Sequence, residues 1–173
     1  MYLRSQRIDM LDQHTITEDD IWDALREVPD PEIPIVNLVD LGVILRVELD
    51  VPARRARVLL MPTFTGCPAI EIMRDLIRER VEQLGLHVQV DITREARWSS
   101  DRISAAGRAG LAKAGIAPPG PVSSTIIPLL EPAKCPHCGS RHTSLESAFG
   151  PTLCRAIGYC RDCKQPFEQF KPL

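Results

Sequence analysis

The residues of this sequence with the clearest capacity for chemistry are four cysteines in two pairs. Cys135 and Cys138 form one Cys-x-x-Cys pair, Cys160 and Cys163 form another, and 21 residues separate the two pairs. Two intervening residues let a tight turn point both thiolates at one ion, and Gly139 tolerates the positive φ that such a turn needs. The spacing predicts a C-terminal zinc ribbon in which these four thiolates hold one structural, tetrahedral Zn²⁺.

Two other interpretations of the four cysteines are weaker. The residues could simply be small buried hydrophobes, but two paired spacings at this separation are typical of metal ligands. The segment Cys135-Pro136-His137-Cys138 also matches a redox dithiol loop. Such a loop should open an amphipathic helix, which the residues after it do not favour, and it would leave the second pair without a role.

Two further cysteines lie outside the pairs. Cys154, six residues before the second pair, is expected to pack in the ribbon core, with an extra or exchanging metal ligand as the alternative. Cys67 follows Thr63, Thr65 and Gly66 between a predicted strand and a predicted helix, where the glycine would allow close backbone approach and the threonines would supply hydroxyl donors. At a helix N-terminus the pKa of the thiol would be lowered, so Cys67 could be a nucleophile, a redox thiol or a ligand for iron. The alternative is a small apolar residue that fills the edge of the sheet.

Asp30 and Glu32 place two carboxylates in a short loop that Pro31 and Pro34 make rigid. The residue types favour a solvated turn. Ligation of a hard metal ion and capping of a neighbouring backbone segment are alternative roles. No Ser-His-Asp set, phosphate-binding loop or dinucleotide glycine motif is visible, and the four histidines form no obvious cluster.

Hydrophobic periodicity predicts the elements that must position these residues. A helix with Thr17 as its N-cap runs to Glu27, and a cluster of prolines ends it. Alternating apolar residues predict a strand from Leu41 to Leu49, and a helix should begin at Pro68 and close at Gly85. The remaining strands are Ala56 to Met61, antiparallel to the first, and Val88 to Ile92, reached by a parallel crossover. The fold class is α+β, with a small mixed sheet in the order α-β-β-α-β covered by helices.

The chain should divide into two folded modules and a linker. Residues 1–116 form the α+β domain and include a short helix from Ser104 to Ala114; residues 117–134 form a proline-rich, stiff linker; residues 135–173 form the ribbon. A ribbon of 39 residues buries too little apolar surface to fold unaided, so zinc should dominate its stability. Its expected strands are Thr143 to Ser147 and Ala156 to Tyr159, with Phe167 and Phe170 packed beneath them.

Composition excludes several classes of partner. The chain has 173 residues and a formal net charge of -2, with no concentrated basic face, so nucleic-acid binding is not expected. It contains no apolar run long enough for a signal-peptide core or a membrane span. We therefore expect a soluble, cytoplasmic protein whose thiols stay reduced.

Three segments of the first module resemble a known family. DPEIP, DLGVI and PTFTGCPA are similar to motifs of the small domain shared by SufT-like iron-sulfur assembly and maturation proteins, over about residues 17–95. The resemblance implies that Cys67 is tied to delivery of an iron-sulfur cluster and that Asp30 and Glu32 belong to the motif. A transient iron ion or iron-sulfur cluster is therefore an expected cargo.

The rest of the chain resembles one branch in particular. The pattern W-x-x-D-x-I-S at Trp98 to Ser104, then CPHCGS, then FGPTLCRAIGYCRDCKQPFEQFKPL, is similar to the PaaD family, which belongs to the bacterial phenylacetyl-CoA epoxidase complexes of phenylacetate degradation. The resemblance implies an accessory, non-catalytic subunit that helps an iron-sulfur or di-iron centre to mature. Its implied partners are the oxygenase and reductase subunits, with a homo-oligomer also open. The alternative is a structural or regulatory zinc-ribbon subunit that carries no metal cargo.

Overall fold

The computed structural model describes residues 15–120 and 132–172. Within these ranges the chain forms three α-helices, one 3₁₀ turn (Ser100–Arg102) and seven strands: α1 (Glu18–Arg26), β1 (Ile44–Asp50), β2 (Arg55–Leu60), α2 (Ile70–Glu82), β3 (His87–Ile92), α3 (Ala105–Lys113), β4 (Ile116–Ala117), β5 (Thr143–Ser147), β6 (Arg155–Cys160) and β7 (Pro166–Phe170).

Helix α1 begins where the sequence predicts. The Thr17 side chain accepts a hydrogen bond from the backbone N–H of Asp20, and the Asp20 carboxylate accepts one from the backbone N–H of Thr17. This capping box satisfies two amides that the first turn would otherwise leave without partners. The helix buries Ile21 and Leu25 in the core and ends shortly before Pro29, as expected.

Strands β1, β2 and β3 form the predicted mixed sheet. Its order is β1-β2-β3, with β2 antiparallel to β1 and parallel to β3. Helix α1 packs against β1 and α2, and α2 packs against β3. The α+β class is therefore confirmed, and the apolar face of the sheet forms one core with the two helices.

The first strand differs from its prediction because it contains a bulge. We expected it to begin at Leu41, but β1 begins at Ile44, and the pairing register shifts between Ile44 and Arg46. Leu45 is the extra residue and is only half-buried, whereas Val43 and Ile44 are both buried. A bulge places neighbouring residues on the same side of the sheet, which a strict alternation of apolar positions does not predict.

Helix α2 also starts later than predicted. We placed Pro68 at the first helical position, but Pro68 and Ala69 lie in a turn and the helix begins at Ile70. Ala69 is the N-cap and provides no side-chain cap. Cys67 therefore precedes the helix by three residues, and the apolar face of the helix is the predicted one: Ile70, Met73, Ile77 and Val81 are buried.

The second sheet has the order β4-β7-β6-β5 and contains the predicted ribbon hairpin. Strand β4 pairs in parallel with β7, with Ile116 opposite Glu168. The segment that we placed at the junction between the first domain and the linker thus adds a short edge strand to the ribbon sheet. The middle of the expected linker, residues 121–131, lies outside the described residues, so the domain boundary stays a prediction.

The two modules share a core, which the sequence did not predict. We expected Phe167 and Phe170 to pack together beneath the ribbon. Phe167 does lie with Cys135 and Cys160, but Phe170, only 1% exposed, belongs to the core of the first module. Its ring centroid lies 5.8 Å from that of Trp98, with the rings tilted by 48°. The last ribbon strand therefore carries an apolar anchor into the α+β domain.

None of the helices in the described ranges is both long enough and apolar enough to cross a membrane.

Candidate functional site

The four ribbon cysteines converge as predicted. Cys135 Sγ lies 3.7 Å from Cys163 Sγ, Cys138 Sγ lies 3.5 Å from Cys160 Sγ, and all four sulfur atoms lie within 4.8 Å of one another. Zinc–thiolate bonds of about 2.3 Å in a tetrahedron would separate the sulfurs by about 3.8 Å. The donor set and its spacing therefore fit one zinc ion, which these four residues would hold in a closed, structural site.

Two similar turns present the four sulfurs. In the first turn the N–H of Gly139 donates to the carbonyl of Cys135 at 2.9 Å, and Gly139 has the predicted positive φ of 76°. In the second turn Lys164 occupies the equivalent position directly after the pair, with a φ of 60°. The sequence analysis missed this residue, although its matching place after Cys163 was a usable signal.

Polar contacts join the two turns to each other. The Ser140 hydroxyl donates to the Asp162 carboxylate, and His142 Nδ1 lies 3.0 Å from Asp162 Oδ1. These contacts hold the pKa of Asp162 below its ordinary value. The backbone N–H groups of Cys163 and Asp162 lower the pKa of the Cys160 thiol to about 6, whereas burial raises the pKa of the Cys163 thiol to about 12, so that binding of a metal would release the proton of the second thiol.

Cys67 lies in the loop between β2 and α2 and is half-buried. We expected the helix N-terminus to lower the pKa of this thiol, and this expectation is wrong. Burial raises the pKa of Cys67, the N–H of Ala69 opposes the change, and the charges of Glu32 and Asp30 raise it further. The helix starts too late for its first free amides to surround the sulfur, and two carboxylates lie close enough to repel a thiolate.

Asp30 is not part of a solvated turn, contrary to the favoured interpretation. It is 8% exposed, and its Oδ1 accepts hydrogen bonds from the backbone N–H groups of Glu32 and Ile33 at 2.9 and 2.8 Å. Its role is thus the backbone cap that we gave as an alternative. Burial raises the pKa of Asp30, against the effect of the two amides and of Arg155.

Glu32 lies at the contact between the two modules. Arg155 Nη2 donates to the carbonyl oxygen of Glu32 at 3.3 Å and lies 3.8 Å from its Oε2, while Arg155 Nη1 is 2.6 Å from Glu168 Oε2. The Arg155 side chain is buried and lies between one acidic residue of each module. Because Arg155 belongs to the ribbon strand β6, far along the chain from Glu32, no local sequence pattern indicates this pairing.

The other three residues of the loop motif separate into two groups. Thr63 is half-buried and lies beside Cys67 in the wall of a cleft. Thr65 and Gly66 are exposed, and they are not part of that wall. A Cβ added at Gly66 would have no heavy atom within 4 Å, so the expected close backbone approach at this glycine is absent from the described residues.

Cys154 does not pack inside the ribbon core. The sulfur is outside the group of four zinc-ligand sulfurs, and the residue packs against the core that the first module shares with Phe170. Burial raises the pKa of its thiol, while the Thr152 hydroxyl, 3.1 Å from the sulfur, opposes the change. The predicted place in the ribbon core is therefore wrong, and the alternative of an extra or exchanging metal ligand stays a prediction.

A cleft of about 210 Å³ separates the two modules at this point. Cys67, Thr63 and Glu32 contribute from the first module, and Cys154 contributes from the ribbon. The other walls come mostly from the loop between β5 and β6: Phe149, Gly150, Pro151, Thr152 and Leu153, with Phe64, Pro68 and Lys171. Phe149 is 81% exposed at the rim, and Lys171 Nζ lies 5.7 Å from the centre of its ring.

Comparison with known proteins separates the same two modules. Residues 18–92 match the iron-sulfur cluster assembly protein family, and residues 121–171 match the PaaD zinc beta ribbon domain family. A crystal structure of a domain of unknown function, DUF59, from Bacillus anthracis has a TM-score of 0.50 over 54% of this chain and 90% of that chain, at 24% identity. That likeness supports the fold of the first module.

Two relatives extend the comparison. The chain is 39% identical over 90 residues to an Fe-S protein maturation auxiliary factor of Porphyromonas gingivalis, covering 51% of this chain and 84% of that protein. It is 37% identical over 153 residues to an Escherichia coli K12 protein named as a subunit of 1,2-phenylacetyl-CoA epoxidase, covering 88% of this chain and 91% of that protein. With an iron-sulfur cluster assembly domain followed by a PaaD zinc ribbon, this chain belongs to the PaaD family of 1,2-phenylacetyl-CoA epoxidase subunits.

Proposed function

We propose that this chain is an accessory protein of a phenylacetyl-CoA ring-epoxidising system and helps an iron-containing centre of a partner subunit to mature. Membership of the PaaD family supports the accessory role. The match of residues 18–92 to the iron-sulfur cluster assembly family supports the maturation role. The oxygenase and reductase subunits are the proposed partners, and the cytoplasm is the proposed location.

Cys67 is the proposed carrier thiol, and its place in the cleft is the observation that carries this proposal. A thiol that hands on iron must reach solvent or a partner and must also be held in a defined position. Cys67 is half-buried in the cleft wall, and its backbone is fixed on both sides: its N–H donates to Phe64 O at 3.2 Å and its carbonyl accepts from the N–H of Ile70 at 3.3 Å.

The chain does not carry the residues of an oxygenase itself. Di-iron centres in helical bundles use carboxylates together with Glu-x-x-His pairs, and the sequence contains no Glu-x-x-His. The helices of the described ranges are also short, with 9, 13 and 9 residues in α1, α2 and α3. These features favour a role in preparing or supporting the catalytic subunits.

The zinc ion has a structural role in this proposal. Four thiolates fill the coordination sphere of a tetrahedral zinc, so no position is left for a substrate. The ion would hold β6 and the two cysteine turns in place, and β6 in turn positions Arg155 and the preceding Cys154 at the contact between the two modules.

The carrier role is tested by co-expressing this chain with the reductase and oxygenase subunits and measuring the iron in each purified partner. We expect Cys67→Ala to lower the iron content of one partner while its own zinc content stays at one ion per chain. Val51→Ala, an exposed change in the turn between β1 and β2 and outside the cleft wall, is the control and should leave partner iron unchanged.

Full partner iron with Cys67→Ala would refute the carrier role. Together with stable association of the chain with its partners, that result would support the structural or regulatory role instead.

A further inference from the structure

Two thiols from different modules lie in the walls of the same cavities. The cleft of about 210 Å³ and a deeper cavity of about 30 Å³ both have Cys67, Cys154, Glu32 and Thr63 in their walls. Cys67 belongs to the loop before α2, and Cys154 directly precedes β6 of the ribbon. The packing of the two modules, rather than either module alone, therefore places the two sulfurs on one cavity.

The Glu32 carboxylate acts on both sulfurs. The charge of Glu32 raises the pKa of Cys67 and also that of Cys154. Glu32 lies with both sulfurs in the walls of the two cavities, where its charge disfavours both thiolates while that of Arg155 favours the thiolate of Cys154. Thiolates and carboxylates are donors that bind iron, and because these three groups do not already lie within 4.8 Å of one another, they would have to close around an ion or be bridged by a larger cluster.

A buried cationic side chain provides an independent indication of a ligand. Arg155 is 7% exposed and lies in the wall of the deeper cavity. Its two terminal nitrogens bond to Glu168 and Glu32, but its Nε is buried without a hydrogen-bond partner among the described residues. A buried N–H without an acceptor is unfavourable, and the sulfur atoms of a thiolate-bound cargo would be acceptors for it.

The backbone around Cys154 holds its sulfur at the cavity. The N–H of Lys171 donates to the carbonyl of Cys154 at 2.9 Å, and the Thr152 Oγ1 lies 3.1 Å from its Sγ. Phe170, beside Lys171, is buried in the core of the first module. The position of Cys154 relative to Cys67 is thus set by the same contacts that dock the ribbon.

Cys67 and Cys154 differ from the four ribbon cysteines in a way that suits release of a bound ion. The four ribbon sulfurs lie within 4.8 Å of one another and would close the coordination of one ion, whereas the described lining of the cleft supplies two thiols and one carboxylate and would leave a position open. Closed thiolate sites hold structural metals, and sites with open positions exchange their ligands. The cleft has room for a ligand that a partner supplies.

We propose that Cys154 is the second sulfur ligand of the cargo, so that Cys67 and Cys154 together bind ferrous iron, alone or within a sulfide-bridged cluster, across the contact between the two modules. This inference rests on the proposed carrier function and adds the ribbon to the carrier site. On binding, each thiol gives its proton to solvent and its sulfur forms one bond to iron. Release is ligand exchange, in which thiolates of the partner replace the two sulfurs on iron and each freed thiolate takes up a proton, with no change in oxidation state.

The test is anaerobic reconstitution of the full, zinc-loaded chain with Fe²⁺ alone and, in parallel, with Fe²⁺ plus sulfide. Wild type, Cys67→Ser and Cys154→Ser are compared by bound iron per chain and by the rate at which a ferrous chelator removes that iron. We expect wild type to retain iron in at least one of the two reactions and both variants to lose it faster by about tenfold or more, because even outer-shell changes commonly weaken metal sites 10–100-fold. Glu146→Gln, an exposed change in the ribbon strand β5, should match wild type.

A second measurement needs no variant. Iodoacetamide labelling of wild type, read by peptide mass spectrometry, should modify Cys67 and Cys154 in the iron-free chain and neither residue in the iron-loaded chain. Zinc content is measured in every sample, so that a folding defect in a variant is recognised.

The outcomes separate the two proposals. If wild type retains no iron with or without sulfide, the carrier function and the two-thiol site both fail. If Cys67→Ser loses iron but Cys154→Ser holds it as tightly as wild type, or if iron protects Cys67 alone from alkylation, the two-thiol site fails and the carrier function stands. Iron that is retained only when sulfide is present would identify the cargo as a cluster, and iron that is retained with Fe²⁺ alone would identify it as a single ion. Either result supports the two-thiol site if both cysteines are required for retention.

Discussion

Replacing Phe170 by alanine should separate the stability of the modular contact from the stability of the zinc site. Phe170 belongs to the ribbon strand β7 but is 1% exposed within the core of the first module, where it contacts Trp98. Large-to-small changes of this kind cost about 3–5 kcal/mol, because apolar contacts are lost and a cavity remains. The lost aromatic pair accounts for about 0.5–1.5 kcal/mol of that figure.

Urea unfolding followed by tryptophan fluorescence measures this loss directly, because the ring of Trp98 reports on the contact. We expect Phe170→Ala to lower the free energy of unfolding by about 3–5 kcal/mol. Zinc content should stay at one ion per chain, because the residue that packs with the zinc cysteines is Phe167. Phe149→Ala is the matched control: its ring is 81% exposed, and its change should stay within about 0.5 kcal/mol.

The reasoning would be refuted if Phe170→Ala cost less than about 1 kcal/mol, or no more than Phe149→Ala, since the ring would then not be an anchor between modules. Loss of zinc in Phe170→Ala alone would also contradict it, because the ring would then be supporting the ribbon.

Three further outcomes follow from the structure. Removal of zinc by a chelator should unfold the ribbon, since structural zinc contributes on the order of 10–16 kcal/mol in small zinc-binding peptides, and amide NMR shifts of the ribbon that stay dispersed without metal would contradict this. Gly158→Ala should cost about 1–3 kcal/mol in urea unfolding, because its Cβ would lie 2.6 Å from Phe167 Cζ, while Gly66→Ala, with open space around the new methyl group, should show none of that steric cost. Burial raises the pKa of Asp30, so folding favours its protonated form. Its contribution to the free energy of unfolding is complete below the unfolded pKa of about 3.9, and this contribution is lost as the pH rises through the pKa of the folded protein. Asp30→Asn should therefore gain stability relative to wild type between about pH 4 and pH 7, and a difference that stays constant over this range would show that burial does not disfavour the charge.

Features set by neighbouring residues were predictable from the sequence. The cap of α1 depends on Thr17 and Asp20, three residues apart, and the hairpin of β1 and β2 depends on a short turn. The convergence of the four ribbon cysteines was also predictable, because each pair is local and binding of one metal ion demands that the two pairs meet.

Features set by contacts between distant parts of the chain were not predictable. Cys154 and Phe170 were placed in the ribbon core because each is surrounded by ribbon sequence, yet both pack against the first module. Asp30 was placed in solvent because its neighbours are turn residues, yet the ribbon residue Arg155 and the surrounding core bury it. The packing partners of Cys154 and Phe170 lie far along the chain in the first module, and periodicity carries no information about them.

Strand β6 has a sulfur at each end: Cys154 directly before its first residue, and the zinc ligand Cys160 as its last. From Cys154 to Cys160 the chain spans about 20 Å at about 3.3 Å per residue, so β6 keeps the cleft and the four-cysteine site apart at a fixed separation. In a chain without zinc, a ribbon that folds only with the metal would leave β6 unformed, and Cys154 would then have only its contacts with the first module to position it. If the ribbon needs zinc to fold and the cleft binds iron as proposed above, we expect zinc to bind before iron.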